Sequence, residues 1–335
     1  MSSKPKVIIY ATGGTIAGAA TSASSTAAYS SGVVSVISLI QAVPQIKDVA
    51  EVLGRQMCNV GSPDLDSEML VRMSQQIQKD LDDPGVSGVV VTHGTDTIEE
   101  TAFFLDLTLR CEKPVVLVGS MRPSTSLSAD GPLNLLEAVR LASCKAAGGR
   151  GVMVVLNDRI CPARFTTKTN ANRVETFQAG DHGLLGTFEN SRPVFFHPPT
   201  QAKGSQPFDI SSLDSKKGLP KVNILYGHLE ADDDLFAASL KSGVKGVVLA
   251  GMGAGCWVTD GGDAIDEAMD ETGQIPVIAS YRTTYGYVHS ANSIYGLGPW
   301  AIGGGYLNPP KCRIQLQLCL ATGLDIAATR TVFEM

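Results

Sequence analysis

The sequence lacks several patterns that would define its class at once. Its seven cysteines include no Cys-x-x-Cys pair, so neither a disulfide framework nor a zinc site is expected. No apolar run approaches the roughly eighteen residues that a membrane-spanning helix needs. The opening MSSKPK is too short and polar for a signal peptide. A basic stripe is missing too, and the net charge is −6. We therefore expect a cytoplasmic protein (secreted if a signal peptide was removed) that binds neither nucleic acid nor membrane.

Short β-branched runs recur along the chain, and each ends at glycine, proline or a polar cluster. Such runs are buried on both faces, which is typical of a parallel sheet. Apolar residues at helical spacing lie between them, as at Ile98, Ala102 and Leu105. Strands that alternate with helices predict an α/β protein. The predicted strands cover residues 6–11, 88–92, 115–119 and 151–156, and then 222–226, 246–250 and 276–280.

A segment rich in proline, serine and lysine, without periodicity, separates the two sets of strands. We interpret residues 198–221 as a linker between two domains. Residues 1–197 are predicted to form an N-terminal domain with a three-layer, mainly parallel sheet and a lid loop. Residues 222–335 are predicted to form a smaller α/β C-terminal domain.

Two Gly-Thr turns, ATGGT and HGTDT, follow predicted strands. Ligands of open α/β sheets lie beyond the carboxyl ends of the strands, so Thr15, Thr95 and Asp96 are candidate functional residues. Either turn could instead be a plain tight turn or a helix cap, and Thr97 with Glu100 has the spacing of a capping box. Neither GxxxxGK[ST] nor GxGxxG is present, which disfavours nucleotide binding.

A threonine hydroxyl becomes a useful nucleophile only when a neighbouring group removes its proton. Lys168, among the short polar side chains of TTKTN, is one candidate, as a partner for Asp96, although a solvated loop lysine is the plainer interpretation. Tyr29 is the second candidate. It lies in TSASSTAAYSSG, a segment with little to build a core, which could act as a lid that brings a phenol onto Thr15. His93 is expected to be structural.

At these residues the chain resembles the bacterial-type asparaginase/glutaminase family. The resemblance is carried in order by ATGGTIAG, VVTHGTDTIEETAFFLDL, KPVVLVGSMRPSTSLSADGPLNL, TKTN and YLNPPK, and it covers essentially the whole chain. It implies an amidohydrolase with no metal and no cofactor. It also implies a homotetramer, a dimer of dimers with active sites at subunit interfaces. The implied reaction is hydrolysis of L-asparagine to L-aspartate and ammonia, with low glutaminase activity.

The resemblance also assigns roles to the candidate residues. Thr15 matches the nucleophile that forms an acyl-enzyme, and Tyr29 matches the lid tyrosine that helps to activate it. Thr95, Asp96 and Lys168 match the group that assists proton transfer and positions water.

Substrate-binding positions follow in the same way. Ser62 matches the serine that binds the substrate α-carboxylate, and Asp96, beside Thr95, matches the anchor for the α-ammonium. Ser120 aligns with a backbone contact to the leaving amide. Pro63 stands where the family often has a glutamine that helps to hold the amino end of the substrate.

Further departures from the family pattern leave the substrate open. Ala254 and Ser293 stand where secreted bacterial members present an asparagine and a glutamate from the neighbouring subunit, and Cys111 has no partner for the disulfide of those members. The alternatives are therefore an amidohydrolase for L-glutamine, D-asparagine or peptide-linked asparagine, or a non-catalytic homologue that binds or senses amino acids. A related transamidation subunit is disfavoured, because the chain is acidic and its first signature begins at Ala11.

Overall fold

The computed structural model describes residues 4–24, 30, 32–110, 112–200, 208–231, 234–290 and 294–334. Two compact units divide the chain. The N-terminal unit comprises Met1–Pro207 with Asp214–Gly218, and the C-terminal unit comprises Phe208–Leu213 with Leu219–Met335. Within the predicted linker, residues 208–213 therefore group with one unit and residues 214–218 with the other.

The described part of the N-terminal unit begins with a strand, combines strands with α-helices as far as the strand Val152–Leu156, and then continues with strands. Its helices are α1 (Val36–Gln41), α2 (Ile46–Val49), α3 (Ser67–Asp82), α4 (Ile98–Thr108) and α5 (Gly131–Ala142). Its strands are β1 (Lys6–Gly13), β2 (Glu51–Val60), β3 (Val86–Thr92), β4 (Val115–Val118), β5 (Val152–Leu156), β6 (Arg159–Pro162), β7 (Thr167–Lys168), β8 (Phe177–Gln178), β9 (Gly186–Glu189) and β10 (Arg192–Phe195).

Eight of these described strands form one sheet in the order β10-β9-β6-β5-β4-β3-β1-β2. The five strands from β5 to β2 run parallel, whereas β6, β9 and β10 are antiparallel. The predicted parallel strands are confirmed. The sheet is larger than expected because β2, β6, β9 and β10 were not predicted.

Two tight hairpin turns account for the antiparallel end of the sheet. Asn157 and Asp158 join β5 to β6 with φ values of 53° and 60°, and Asn190 and Ser191 join β9 to β10 with 50° and 57°. Positive φ at both central residues matches the right-handed twist of the flanking strands, and asparagine and aspartate tolerate it best. The chain therefore reverses at these points instead of crossing over through a helix.

Helices cover both faces of the large sheet, as the three-layer prediction required. On one face, α1, α2 and α5 bury Val36, Ile46 and Leu135 against Val7 and Val116 of the strands. On the other face, α3 packs on β3 and α4 packs on β5. Because both faces are covered, the central strands are continuously apolar rather than alternating.

The C-terminal unit repeats this architecture on a smaller scale. Its described elements are β11 (Val222–Tyr226), α6 (Asp234–Lys241), β12 (Gly246–Gly251), α7 (Thr259–Thr272), β13 (Val277–Tyr281), β14 (Ile302–Gly303), α8 (Pro309–Ala321) and α9 (Ile326–Glu334). The strands form a parallel sheet in the order β11-β12-β13-β14, with a core that includes Phe236, Ile265 and Met269. The α/β fold predicted for both halves is therefore confirmed. None of the described helices combines the length and the apolar composition of a membrane-spanning segment.

Helix α5 carries a carboxyl group into the interior of the N-terminal unit. Glu137 is only 1% exposed. Burial, together with the negative charge of Asp158 in the β5–β6 turn, raises the pKa of Glu137 from 4.5 to about 8. At neutral pH this side chain therefore keeps its proton.

We predict that Glu137 makes the stability of the protein depend on pH. Between pH 4.5 and about 8 the native state holds a proton that the unfolded chain has released, so the contribution of Glu137 to the free energy of unfolding falls as pH rises. Glu137→Gln removes this ionisation. Its free energy of unfolding, relative to wild type, should rise with pH by about 1 kcal/mol per unit across this window.

Urea denaturation on both sides of the window measures the effect. Glu189→Gln, at an exposed position in β9, is the matched control and should show no such trend. A difference between Glu137→Gln and wild type that is the same at every pH would contradict the prediction.

Candidate active site

The turns after β1 and β3 pack directly against each other at the carboxyl edge of the large sheet. Gly14 has φ of 78°, and a Cβ added there would lie 2.3 Å from the Cα of Gly94. A Cβ added to Gly94 would lie 2.8 Å from the Cβ of Ser62. No side chain fits between these backbones, so glycine is required at both turns. The close approach brings Thr15, Ser62 and Thr95 to one place.

Thr15 opens a short 3-10 turn, Thr15–Ala17, directly after the first of these glycines. The amide of Gly18 closes this turn on the Thr15 carbonyl at 2.8 Å. Thr15 is buried, with 6% of its surface exposed. The structure thus places this candidate nucleophile in a shielded position beside the second Gly-Thr turn.

Lys168 joins the second Gly-Thr turn through two hydrogen bonds. Its Nζ donates to Thr95 Oγ1 at 3.0 Å and to Asp96 Oδ1 at 2.6 Å. The side chains of Lys168 and Asp96 are 16% and 65% exposed. The ion pair therefore joins a largely buried ammonium to a carboxylate that is open to solvent. Lys168 is therefore in direct contact with two predicted site residues that lie 73 and 72 positions earlier in the sequence.

Glu99 holds Lys168 in this position, and sequence reasoning missed it. This buried carboxylate in the first turn of α4 accepts from the Lys168 backbone amide at 2.6 Å and from Thr167 Oγ1 at 2.8 Å. The negative charge also lies favourably near the helix N-terminus. In the sequence, Glu99 is only one of two adjacent glutamates in DTIEE, and no local pattern marks which one is buried.

His93 supports the same turn from inside the protein. It is fully buried; its Nδ1–H donates to the Gly94 carbonyl at 2.7 Å, and its Nε2 accepts from the Thr101 hydroxyl at 2.9 Å. Burial lowers the pKa of His93 to about 4, so the ring is neutral. This arrangement agrees with the structural role expected for it.

Ser62 and Thr97 form a reciprocal contact that replaces the predicted capping box. Thr97 Oγ1 donates to the Ser62 carbonyl at 2.9 Å, and Ser62 Oγ accepts from the Thr97 amide at 3.3 Å. Thr97 is the N-cap of α4, yet its side chain makes no capping bond. The capping-box prediction was wrong because the Thr97 hydroxyl is used to fix the Ser62 loop.

The other predicted substrate-side residues occupy different environments. Pro63 is exposed within the 3-10 turn Ser62–Asp64. Ser120 is fully buried after β4, and its Oγ donates to the Arg122 carbonyl at 2.8 Å. The carboxylate of Asp130 accepts from the Arg122 amide at 3.0 Å, which holds this loop closed. Ala254 belongs to the C-terminal unit and is exposed.

The base of the predicted lid is tied to the N-terminal unit. Ala19 and Ser30 exchange two backbone hydrogen bonds of 3.1 Å each, and the Leu127 amide donates to the Ala23 carbonyl at 3.1 Å. Tyr29 itself, like Ser293 and Cys111, lies outside the described residues. Within the described ranges, no group of three or more histidine, cysteine or acidic side chains is placed to hold a metal ion.

Two family models match the chain along almost its entire length. The first, described as Asparaginase, N-terminal, matches residues 6–201. The second, described as Glutaminase/Asparaginase C-terminal domain, matches residues 221–333. The chain therefore belongs to the asparaginase/glutaminase family.

Individual relatives agree with this assignment. The chain is 45% identical to L-asparaginase 2-3 of Saccharomyces cerevisiae, over 99% of this chain and 91% of that protein. It is also 45% identical to L-asparaginase 2 of Bacillus subtilis, over 98% and 86% of the two chains. The crystal structure of a probable cytoplasmic L-asparaginase from Campylobacter jejuni matches with a TM-score of 0.91 and 40% identity, and covers 99% of each chain.

Proposed function

We propose that this protein is an L-asparaginase, which hydrolyses L-asparagine to L-aspartate and ammonia. The observation that carries the proposal is the contact of Lys168 with Thr95 and Asp96, next to the turn that bears Thr15. The relatives named as L-asparaginases support the choice of substrate.

The proposed first step is attack of Thr15 Oγ on the side-chain carbonyl carbon of the substrate. The hydroxyl proton passes to a neighbouring base and then to the departing amide nitrogen, which leaves as ammonia. Backbone N–H groups at the Gly-Thr turns would stabilise the oxyanion, at about 3 kcal/mol per donor. An acyl-threonine ester remains. We propose that Tyr29 helps to remove the hydroxyl proton of Thr15.

The second step in this proposal is hydrolysis of the ester by water. Thr95, hydrogen-bonded to Lys168 at 3.0 Å, would position that water. Its proton would pass through Thr95 and Lys168 to the Asp96 carboxylate and return to Thr15 as aspartate leaves. The cycle consumes one water and regenerates the hydroxyl, so no redox group is needed.

Substrate ends are proposed to be held on either side of the reacting amide. The Ser62 loop would bind the α-carboxylate, and the exposed carboxylate of Asp96 would bind the α-ammonium. Pro63 offers this ammonium no side-chain acceptor. Anchoring that depends on one carboxylate is sensitive to substrate length, so we propose that L-asparagine is preferred and that glutamine is a poor substrate.

We propose that the protein works as a homotetramer and that it is located in the reducing cytoplasm. Large aromatic and aliphatic side chains on the C-terminal unit are exposed, among them Tyr226 at 61%, Tyr295 at 70% and Leu229 at 84%. Their burial in an interface would be favourable. No disulfide joins any two of the six described cysteines, in keeping with the proposed reducing compartment. Sedimentation velocity checks the assembly, and a monomer at micromolar concentration would contradict it.

We predict that ammonia release from L-asparagine depends on Thr15. Thr15→Ala should lower kcat at least about 1,000-fold because the acyl intermediate cannot form, whereas Thr15→Ser keeps a hydroxyl and should retain measurable turnover. L-glutamine and D-asparagine are measured in parallel, and kcat/KM for L-asparagine should be highest.

Two outcomes would contradict this proposal. Unchanged turnover in Thr15→Ala would contradict the assignment of Thr15 as the nucleophile. Equal kcat/KM for asparagine and glutamine would contradict the proposed preference for asparagine. Saturable amino-acid binding without any ammonia would favour the non-catalytic alternative, which the substitutions at Pro63 and Ala254 support.

We predict that Glu99 acts by positioning Lys168. Glu99→Ala removes the acceptor of the Lys168 amide and should lower kcat about 100-fold with little change in KM, since a displacement of about 1 Å can cost that much. Glu99→Gln keeps one oxygen acceptor and should recover part of the loss. Glu68→Ala, the exposed acid in the first turn of α3, is the matched control. Equal kcat in Glu99→Ala and Glu68→Ala would rule out this role.

A further inference from the structure

A cavity lies within the N-terminal unit, away from the candidate active site. It has a volume of about 200 Å3 and lies beside Gly151 and Val152, where β5 begins. Thr15 and Thr95 instead follow the carboxyl ends of the parallel strands β1 and β3. The cavity therefore lies at the opposite edge of the sheet, where the parallel strands begin, and is not part of the proposed catalytic site.

Arg150 is the notable group in the wall of this cavity. It is 94% buried, since its exposure is 6%. Its guanidinium carbon lies 3.7 Å from the centre of the Phe195 ring. Its Nε donates to the Ala146 carbonyl at 2.9 Å, and its Nη1 donates to the His197 and Pro198 carbonyls at 2.9 and 3.3 Å.

The positive charge of Arg150 is not neutralised within the described part of the chain. No carboxylate there lies within ion-pair distance of it, and its Nη2 donates no hydrogen bond to a described residue. A buried cation without a counter-ion is costly, and backbone carbonyls and an aromatic face offset only part of that cost. An anion in the adjoining cavity would supply the missing counter-charge.

The rest of the wall limits what that anion can be. Most of the lining is apolar, with Phe165 and Leu185 among its residues. Phe165 stacks on His182 with ring centres 3.6 Å apart and planes 4° apart, which makes one wall flat. Drug-sized ligands occupy pockets of about 300–1,000 Å3, so this smaller space suits a compact molecule. Its lining also contains the basic residues Arg164 and His197 and one acid, Asp106.

We propose that this cavity binds a small organic carboxylate with a flat or compact apolar body. The carboxylate accepts hydrogen bonds from Nη2 of Arg150, which donates to no described residue, and the apolar body lies against the stacked Phe165. The ligand is held by one charge-assisted contact and by burial of its apolar surface. This site is independent of the proposed asparaginase reaction.

Calorimetric titration of the full-length protein with sodium benzoate tests the proposal, and benzyl alcohol serves as the uncharged probe of similar shape. We expect saturable benzoate binding with Kd of order 1 mM, and binding of benzyl alcohol at least about tenfold weaker. Arg150→Gln should weaken benzoate binding at least about tenfold, because the charge-assisted hydrogen bond is lost. Arg72→Gln, which removes an exposed arginine from α3, should leave it unchanged.

A second variant keeps the test decisive if Arg150→Gln does not fold. Leu184→Trp places a larger side chain in the cavity lining and leaves the hydrogen bonds of Arg150 intact, so it should also abolish benzoate binding. Absence of saturable binding in the wild type, or unchanged binding in either folded variant, would overturn the proposal. Displacement of benzoate by saturating L-aspartate would place it in the candidate active site and would equally overturn the proposal.

Discussion

The contact between two glycine turns organises the candidate active site. Gly14 and Gly94 approach so closely that a single Cβ on either would overlap the backbone of the other or the Ser62 loop. Parallel strands bring the turns to the same edge of the sheet, but only the absence of side chains lets them touch. The positions of Thr15, Ser62 and Thr95 all follow from this contact.

Around this contact, buried polar groups fix the loops by hydrogen bonds. His93 is neutral because it is buried, and so it can donate from one ring nitrogen and accept at the other. Glu99 ties the short β7 strand to the start of α4, so that Lys168 meets Thr95 and Asp96. The side chains of His93, Glu99 and Lys168 each have hydrogen-bond partners, which fix these loops before any substrate enters.

In the proposed site, fewer charged side chains are available to bind the substrate than to carry out catalysis. Pro63 is exposed beside Ser62 and has neither a side-chain acceptor nor an amide proton. Asp96, which is largely exposed, already pairs with Lys168. In this proposal, Asp96 both binds the α-ammonium of the substrate and pairs with Lys168. Substrate binding is therefore coupled to the position and charge of Lys168.

The α/β class could be predicted from the sequence, as could most of the parallel strands and the candidate residues of the Gly-Thr turns. Those signals are local, because a β-branched run or a glycine at a strand end acts through its own neighbours in the chain. The tertiary structure alone decided that β6, β9 and β10 extend the sheet, that Thr97 fixes Ser62 instead of capping α4, and that Glu99 rather than Glu100 holds Lys168. It also decided that Arg150 is buried without a carboxylate partner among the described residues. Each of these depends on residues distant in sequence that meet only after folding, and no local periodicity specifies which polar group becomes buried or what it contacts.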